Sequence, residues 1–263
     1  MTTSLSPAHR TTGPAPIAAT PISPVRLTVV ELRKLADTRA GLWLLIVIGL
    51  GTAGTAAIQL GWAPDDELTF GGFFAFGLVP SAALLPVLGI LSMTGEWSQR
   101  TALTTFTLTP ARLRVIAAKL AAGVLVALAA TVATVVLSVA ANLLGMALGG
   151  DGRWRIAPSL IGQGALLLVL FVLMGMAFGA LLMSSPLAIV AYFVLPTLWS
   201  VLGEAIHALH GLARWLDLDV TSGPLSEPAM SASEYGRLAV STVLWVVVPL
   251  LLGSWRILRR EVT

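Results

Sequence analysis

Three side chains that could bind a metal ion stand three residues apart, at Glu204, His207 and His210. Steps of three residues drift around a helix, so this spacing does not hold all three groups over one point. A surface histidine without a metal is also much commoner than a histidine ligand. We therefore predict no metal site, and the role of these three residues is left open.

Nucleotide hydrolysis and hydrolytic catalysis need motifs that this sequence lacks. Neither Lys34 nor Lys119 is preceded by glycine, so the phosphate-binding pattern G-x-x-x-x-G-K-[ST] does not occur. Cysteine is absent, which excludes thiolate metal sites and disulfides. No serine–histidine–aspartate or paired-carboxylate arrangement can be recognised either. The chain is predicted to be no enzyme and to hold no cofactor of its own.

The composition is that of an integral membrane protein. Hydrophobic residues make up 56% of the 263 residues, charged residues only 11%, and the mean hydropathy is +0.89; soluble domains carry about 25% charged residues. The net charge is only +3, and the basic residues stand at the ends of apolar runs, which argues against a nucleic-acid partner. Arginine exceeds lysine fourteen to two, a bias that hints at a GC-rich bacterial genome.

Six apolar segments are long enough to cross a bilayer, which requires about 20 residues. We predict an all-α integral membrane protein with six transmembrane helices in one domain, residues 25–263, after a proline-rich, disordered cytoplasmic tail at residues 1–24. The predicted spans are Gly41–Leu60, Phe70–Met93, Leu120–Leu148, Pro158–Met183, Leu187–Ile206 and Leu238–Trp255. Pro80, Pro86 and Pro196 predict bends or local unwinding in the second and fifth spans.

An amphipathic helix is predicted before the first span. Between Val25 and Arg39 the apolar residues share one face and the charged residues lie elsewhere, as expected for a helix in the membrane interface. The residues of the apolar face are Val25, Val29, Leu32 and Ala36. The alternative is a cytoplasmic extension of the first span.

A second amphipathic helix is predicted on the outer surface, before the last span. Its apolar face consists of Leu209, Leu212, Leu216 and Val220. Its polar face consists of His210, Arg214 and Asp217.

The charges predict the orientation of the chain. With both termini and the loop after the second span in the cytoplasm, twelve of the sixteen basic residues lie inside, and nine of the thirteen acidic residues lie outside. The basic residues outside are Arg153, Arg155, Arg214 and Arg237. The basic residues inside are Arg10, Arg26, Arg33, Lys34, Arg39, Arg100, Arg112, Arg114, Lys119, Arg256, Arg259 and Arg260.

The membrane-embedded part of the sequence carries no charge that could drive transport. The strongest polar groups at membrane depth or its margins are Gln59, Asn142 and Gln163, and no acidic or basic residue lies in the middle of a predicted span. A proton- or ion-coupled carrier usually needs a titratable group there. We therefore expect the energy for any transport to come from another protein, with a secondary carrier as the third hypothesis.

The third span has a face of small and polar residues, at Thr131, Thr134, Ser138, Asn142 and Gly145. Residues three or four apart share a helical face. Such a face favours close helix packing with hydrogen bonds between helices. The alternative is that Thr131, Thr134, Ser138 and Asn142 line a substrate path at a dimer interface.

The loop from Gly95 to Lys119 is the only long polar interruption between two apolar runs that carries repeated positive charge. Its sequence resembles the corresponding loop in the membrane subunit of type-two ABC exporters. The matching residues are Glu96, Arg100, Thr101, Pro110, Arg112 and Lys119. The resemblance implies a short cytoplasmic coupling helix that docks on a separate ATPase subunit. The alternative is an ordinary cytoplasmic loop whose charges only fix the topology.

The resemblance extends more loosely over residues 25–260, through the number and spacing of the apolar segments. It implies a permease in a bacterial cell membrane that dimerises with a second copy or a paralogue. It also implies two ATP-binding subunits that carry the ATP and magnesium. The hypothesis from another class is a non-transporting membrane anchor, sensor or immunity module. The sequence does not indicate the substrate.

Overall fold

The computed structural model describes residues 23–98, 112–154 and 157–259. Within these ranges the chain is helical and contains no strand. The helices are α1 (Pro24–Asp37), α2 (Arg39–Trp62), α3 (Phe70–Ser98), α4 (Arg112–Ala147), α5 (Pro158–Leu182), α6 (Ser185–Ala205), α7 (His210–Leu216), α8 (Leu218–Ser222), α9 (Ala232–Thr242) and α10 (Val248–Arg259). Short 3₁₀ turns, His207–Leu209 and Gly223–Ser226, flank α7 and α8, and a π-helical turn, Val243–Val247, joins α9 to α10.

Within the described residues, six helices are long and apolar enough to cross a membrane, so the chain is a multi-pass membrane protein. They are α2, α3, α4, α5, α6 and the continuous helix Ala232–Arg259. Each coincides with one of the six predicted apolar segments, three of which, ending at Leu148, Met183 and Ile206, extend one residue beyond the helix. The helical assignment of α3 runs without interruption through Pro80 and Pro86, and that of α6 through Pro196, so neither helix is unwound at its prolines.

Helix α5 occupies the centre of the bundle and contacts α3, α4, α6 and α10. Its glycines allow this approach: a Cβ added at Gly175 would clash with the carbonyl oxygen of Pro86, and one at Gly179 would lie 3.0 Å from the carbonyl oxygen of Ile90. The G-x-x-x-G spacing of α5 therefore brings its backbone against the backbone of α3. Helix α10 also lies close to α5, since its Gly253 packs against the backbone of Ala180 in the same way.

Helix α1 begins at a capped position and ends just before the first span. The side chain of Ser23 accepts a hydrogen bond from the backbone N–H of Arg26, and Pro24 occupies the first turn. Glu31 and Leu35 are buried against the bundle, whereas Val25 and Val29 of the apolar face are exposed. The helix therefore turns Glu31 and Leu35 towards the protein, and of the predicted apolar face Leu32 also packs against the core while Val25 and Val29 stay exposed.

The segment before the last span differs from the predicted single helix. It breaks at Asp217, whose carboxylate caps the N-terminus of α8 by accepting hydrogen bonds from the N–H groups of Asp219 and Val220. Asp217 is buried, and Leu212 and Val220 of the predicted apolar face are exposed. Helical periodicity did not predict this break, because it describes only which residues share a face. At the break, the aspartate N-cap satisfies two backbone N–H groups that a continuous helix would bond internally.

The two ends of the bundle differ in charge. One end, called the basic end, contains α1, the C-terminus of α3, the N-terminus of α4 and the C-terminus of α10, which are joined by side-chain contacts. The other end, called the acidic end, contains Asp65 and Asp151, where the N–H of Asp151 donates to the carbonyl of Asp65.

Candidate functional site

Four charged side chains meet at the basic end and form what we call the charge cluster: Glu31 and Lys34 of α1, Glu96 of α3 and Lys119 of α4. Three of them are almost excluded from solvent, with exposed fractions of 6% for Glu31, 9% for Glu96 and 5% for Lys119. Two carboxylates balance two ammonium groups. This balance is required because an unpaired charge is very costly at a buried position.

Lys119 lies at the centre of the cluster. Its Nζ donates hydrogen bonds of 2.8 Å to Oε2 of Glu31 and 3.0 Å to the carbonyl oxygen of Ser92, and it forms an ion pair with Oε1 of Glu96 at 3.2 Å. An ammonium group has three donors, and two of them form these hydrogen bonds. Lys119 thus connects α4 with both α1 and α3.

Lys34 completes the cluster from the solvent side. Its Nζ is 2.7 Å from Oε1 of Glu31 and 3.1 Å from Oε1 of Glu96. The side chain of Lys34 is 43% exposed, so water can replace part of these contacts. The cluster therefore has a buried cation, Lys119, and a partly hydrated one, Lys34.

The charges within the cluster determine the ionisation of the two α1 side chains, Glu31 and Lys34. Burial raises the pKa of Glu31, but the charges and hydrogen bonds of Lys119 and Lys34 outweigh burial and hold this pKa below its ordinary value. Burial lowers the pKa of Lys34, but Glu31 and Glu96 outweigh it and raise this pKa. Both groups are therefore charged at neutral pH.

These shifts predict a pH window for the docking of α1. A lowered carboxyl pKa contributes stability above pH 4.5, the ordinary value, and this stability is lost as the pH falls through the lowered value. A raised amine pKa contributes stability below pH 10.5, which is lost as the pH rises through the raised value. A spin label at the exposed Arg33→Cys position should be immobile at neutral pH and become mobile in strong acid and strong alkali. Mobility that does not change with pH would contradict this prediction.

The predicted coupling residues fall into three groups. Glu96 and Lys119 belong to the charge cluster. Arg112 donates a hydrogen bond of 2.8 Å from Nη1 to the carbonyl oxygen of Ile257, which connects the start of α4 with the end of α10. Arg100, Thr101 and Pro110 lie outside the described residues.

The predicted path residues of α4 lie inside the bundle. Thr131, Thr134, Ser138 and Asn142 are all buried. The three hydroxyls donate to carbonyl oxygens one turn earlier in α4, and Nδ2 of Asn142 donates to the carbonyl of Gly152.

The polar face of α4 lies in close contact with α3. A Cβ added at Gly77 would lie 2.9 Å from Cγ2 of Thr134 and 3.5 Å from Cγ2 of Thr52 of α2. Thr52 in turn donates a hydrogen bond to the carbonyl of Gly77. Small side chains thus bring α2, α3 and α4 together at this level of the membrane.

Glu204, His207 and His210 lie at the acidic end and are exposed. The rings of His207 and His210 have centroids 4.7 Å apart, and Nε2 of His210 is 3.1 Å from the backbone oxygen of Glu204. Among the described residues, no group of three histidine or acidic side chains is arranged to hold a metal ion.

The sequence analysis missed Glu31 and Lys34 as members of a site. A signal for Glu31 was present, because Leu27, Glu31 and Leu35 are spaced four apart and so place a carboxylate within an apolar stripe. A buried carboxylate requires a cation, and Lys34 lies one turn away. The involvement of Glu96 and Lys119, 65 and 88 residues further along, carries no local signal.

Two further polar contacts join helices at the basic end. The hydroxyls of Thr94 in α3 and Ser185 in α6 are 2.6 Å apart. Arg256 of α10 donates a hydrogen bond of 2.8 Å to the carbonyl of Leu181, at the end of α5. Helices α1, α3, α4, α5, α6 and α10 are thus joined there by side-chain hydrogen bonds or ion pairs.

Comparison with known proteins gives no assignment for the chain. No family model matches the sequence, and no curated protein matches it.

Proposed function

We propose that this chain is the permease subunit of an ATP-driven exporter of the ABC type, moved by separate ATP-binding subunits that dock on the loop between α3 and α4. The observation that supports the proposal best is the charge cluster. Its members Glu96 and Lys119 stand on the two helices that flank this loop, and both contact α1. A force applied to the loop would therefore reach three helices at once.

The remaining contacts of the basic end indicate how such a force would spread. Arg112 connects α4 with α10, Thr94 connects α3 with α6, and Arg256 connects α10 with α5. Motion of one helix base against another would break these hydrogen bonds. We therefore expect the basic end to move as one body, and the main change to occur between this chain and a second copy.

Helices α2 and α6 have the surface that a second copy would need. Only 17% of the 18-residue apolar stretch of each helix is buried inside the chain, compared with 56% of the corresponding stretch of α5. Lipid or another protein must cover the rest in a membrane. In our proposal a second permease copy covers part of it, and the substrate passes between the two copies.

A substrate path along the polar face of α4 sets a condition on this mechanism. Thr134 and Ser138 contact α3 near Gly77 in the present arrangement. They would meet a substrate only if α2 and α3 moved away from α4 during the transport cycle. We keep Thr131, Thr134, Ser138 and Asn142 as path residues on that condition alone.

The orientation belongs to the same proposal. The basic end would face the cytoplasm, because basic residues near the ends of spans are retained there. The acidic end, with Asp65, Asp66 and Glu67 in the turn before α3, would face the exterior. The membrane would be a bacterial cell membrane, as the resemblance implies.

Charge reversal in the loop tests the proposal. Arg100→Glu should weaken binding of the ATP-binding subunit by about 2 kcal/mol, roughly thirtyfold in affinity, because arginines at the centre of an interface carry much of its binding energy. The measurement is the ATPase activity that co-purifies with the chain, with ATP-dependent efflux from vesicles as the second readout. Membrane insertion should stay unchanged, and so should the elution volume of the chain in detergent once the ATP-binding subunit has been removed from both variants.

Arg26→Glu is the matched control. Arg26 is an exposed arginine at the same end of the chain, but it lies on α1 and outside the loop. This variant should retain the ATPase. Normal co-purification and efflux with Arg100→Glu would refute the proposal, and a bound ATPase without efflux would favour the anchor, sensor or immunity module.

A further inference from the structure

A seam of small and polar side chains runs between α2, α3 and α4. It centres on Gly77 of α3, where an added Cβ would lie 2.9 Å from Cγ2 of Thr134 and 3.5 Å from Cγ2 of Thr52. Residues three, four or seven positions apart share a helical face, so the polar surface continues by one or two turns along each helix. Its seven polar residues are Thr52, Gln59, Ser81, Thr131, Thr134, Ser138 and Asn142. All seven are buried, and none carries a charge.

Four hydroxyl groups of the seam donate their protons to backbone carbonyl oxygens. Those of Thr131, Thr134 and Ser138 donate within α4, and that of Thr52 donates to the carbonyl of Gly77. A hydroxyl has one proton and two lone pairs. These four oxygens can therefore accept a further hydrogen bond, but they cannot donate one without breaking a bond that exists.

The two amide side chains of the seam are fixed in orientation by similar bonds. Nε2 of Gln59 donates to the carbonyl oxygen of Gly72 at 3.3 Å, and Nδ2 of Asn142 donates to that of Gly152 at 3.2 Å. Turning either amide over would place its oxygen against another oxygen. Each amide keeps one further N–H, whereas its oxygen offers two lone pairs. Free acceptor positions thus outnumber free donors in the seam.

Three side-chain oxygens of the seam have no hydrogen-bond partner in the part of the chain that the structure describes. They are Oε1 of Gln59, Oγ of Ser81 and Oδ1 of Asn142. The exposed fractions of these residues are 8%, 1% and 0%. A buried polar atom without a partner costs free energy, which a ligand with donor groups can recover.

Apolar side chains border the seam beside Asn142. Phe73 and Ala141 are buried in one apolar cluster, against which Ala56 and Leu60 pack. Small-molecule sites typically combine such an apolar lining with a few polar groups that orient the ligand. A solute that matches this surrounding has an apolar body and a polar head.

Helix α2 loses little burial when the seam opens. Only 17% of its 18-residue apolar stretch is buried inside the chain. Its buried residues are Gly41, Ile48, Thr52 and Gln59, and the last two belong to the seam. A solute that enters between α2, α3 and α4 would therefore replace mainly polar contacts of α2.

We propose that the seam is the substrate site of this chain and that its substrates are protonated amines with an apolar body, not carboxylates or phosphates. An ammonium group brings three donors and no acceptor, which complements the free oxygens. Its charge-assisted hydrogen bonds are about twice as strong as neutral ones. An anion would bring further acceptors and would meet no cation among the seam residues. The inference rests on the proposed function, because the path residues of α4 form one wall of the seam.

Uncharged oxygens are sufficient for binding a cation at membrane depth. Carbonyl oxygens replace the hydration shell of the ion in the filters of potassium channels, where no carboxylate is required. In the same way, Oε1 of Gln59 and Oδ1 of Asn142 would replace water around the ammonium group. The hydroxyl oxygens of Thr134 and Ser138 would supply the remaining acceptors.

Two naphthalene probes of opposite charge test the substrate class. 1-Naphthylmethylammonium and 1-naphthoate share the same ring system and differ in the charged group. Their binding to the purified full chain in nanodiscs can be measured by equilibrium dialysis, with empty nanodiscs as the correction for partition into lipid. We expect the amine to bind at least about tenfold more tightly than the acid, since charge-assisted bonds to two or more oxygens distinguish them.

Variants of the seam locate the binding. Gln59→Leu and Asn142→Leu each remove one free oxygen and should weaken binding of the amine by about tenfold. Gln163→Leu is the matched control, because Gln163 is also a buried residue with an unpartnered Oε1 but lies on α5, outside the seam. It should bind the amine like the parent chain. The preference of the parent chain for amine over acid needs no variant and remains decisive if a variant does not fold.

The outcomes separate this inference from the proposed function. Equal binding of the two probes, tighter binding of the acid, binding of neither, or an equal loss in Gln163→Leu would overturn the inference. If the ATP-binding subunit co-purifies and drives efflux of the acid, the inference is wrong and the proposed function stands. If the amine binds in the seam but no ATPase co-purifies, the exporter is contradicted and the amine site remains.

Discussion

Replacing Lys119 with methionine should lower the free energy of unfolding by about 3–5 kcal/mol, the cost of leaving a buried ion network without one of its charges. Lys119 is the most buried charge of the cluster and contacts both carboxylates. Without it, Glu31 and Glu96 would share the single, half-exposed Lys34. The free energy can be measured by denaturant titration of the purified chain in detergent micelles.

Lys34→Met is the matched control, because it removes the same charge from the same two carboxylates. Since the side chain of Lys34 is 43% exposed, its loss should cost only about 1 kcal/mol. Adding Glu96→Gln to Lys119→Met restores neutrality and should recover part of the loss, which a double-mutant cycle would quantify. Equal costs for the two lysines would contradict the assignment of Lys119 as the central cation.

Gly175→Ala should have the second large effect, with a loss of about 3 kcal/mol. A Cβ at this position would clash with the carbonyl oxygen of Pro86 and lie 2.8 Å from its Cα. Both atoms belong to the backbone of α3, so no side-chain rotation can relieve the contact, and the cost should reach the upper end of the range for overpacked cores. The melting temperature of the detergent-solubilised chain measures the change.

The control on the same helix is Gly162→Ala. A Cβ at Gly162 meets no atom within 4 Å, and alanine favours a helix over glycine by about 1 kcal/mol. This variant should therefore melt at the parent temperature or above it. If Gly175→Ala melted like Gly162→Ala, α5 would not lie against α3 at Pro86.

The spans could be predicted from the sequence because the bilayer imposes a simple rule. A helix satisfies its own backbone groups, and about 20 apolar residues suffice to cross the hydrocarbon layer. The start of the last helix was missed. The predicted span begins at Leu238, whereas the helix begins at Ala232.

A capping box marks that helix start in the sequence. The Ser231 hydroxyl accepts from the N–H of Glu234, while the carboxylate of Glu234 accepts from the N–H of Ser231. The pattern Ser-x-x-Glu was visible, and hydropathy alone overlooked it because the first turn is polar.

The charge cluster and the segment between α6 and α9 could not be predicted in the same way. The cluster joins residues that are 62 and 88 positions apart, and single residues in one sequence do not indicate such pairs. The course of that segment depends on Asp217, which caps α8, and on Trp245, whose indole N–H donates a hydrogen bond to the carbonyl of Leu216. Helical periodicity predicted one continuous amphipathic helix here, because the spacing of apolar residues does not reveal a cap within the apolar stripe.

The position of the charge cluster supports the proposed function more than the loop residues do. Of the six residues that carry the resemblance, Glu96, Arg112 and Lys119 contact other helices of their own chain. In our account these three transmit motion within the permease. Contact with the ATP-binding subunit is then expected from the loop itself, where Arg100 and Thr101 stand.

The most direct test of this account is the accessibility of a single cysteine in the loop, Thr105→Cys, to a membrane-impermeant maleimide. The account predicts labelling only in inside-out vesicles, and stronger labelling after a urea wash has removed the peripheral ATP-binding subunit. Glu67→Cys, in the turn before α3, should label only in right-side-out vesicles. Labelling of Thr105→Cys from the exterior, or labelling that the wash leaves unchanged, would contradict the central claim.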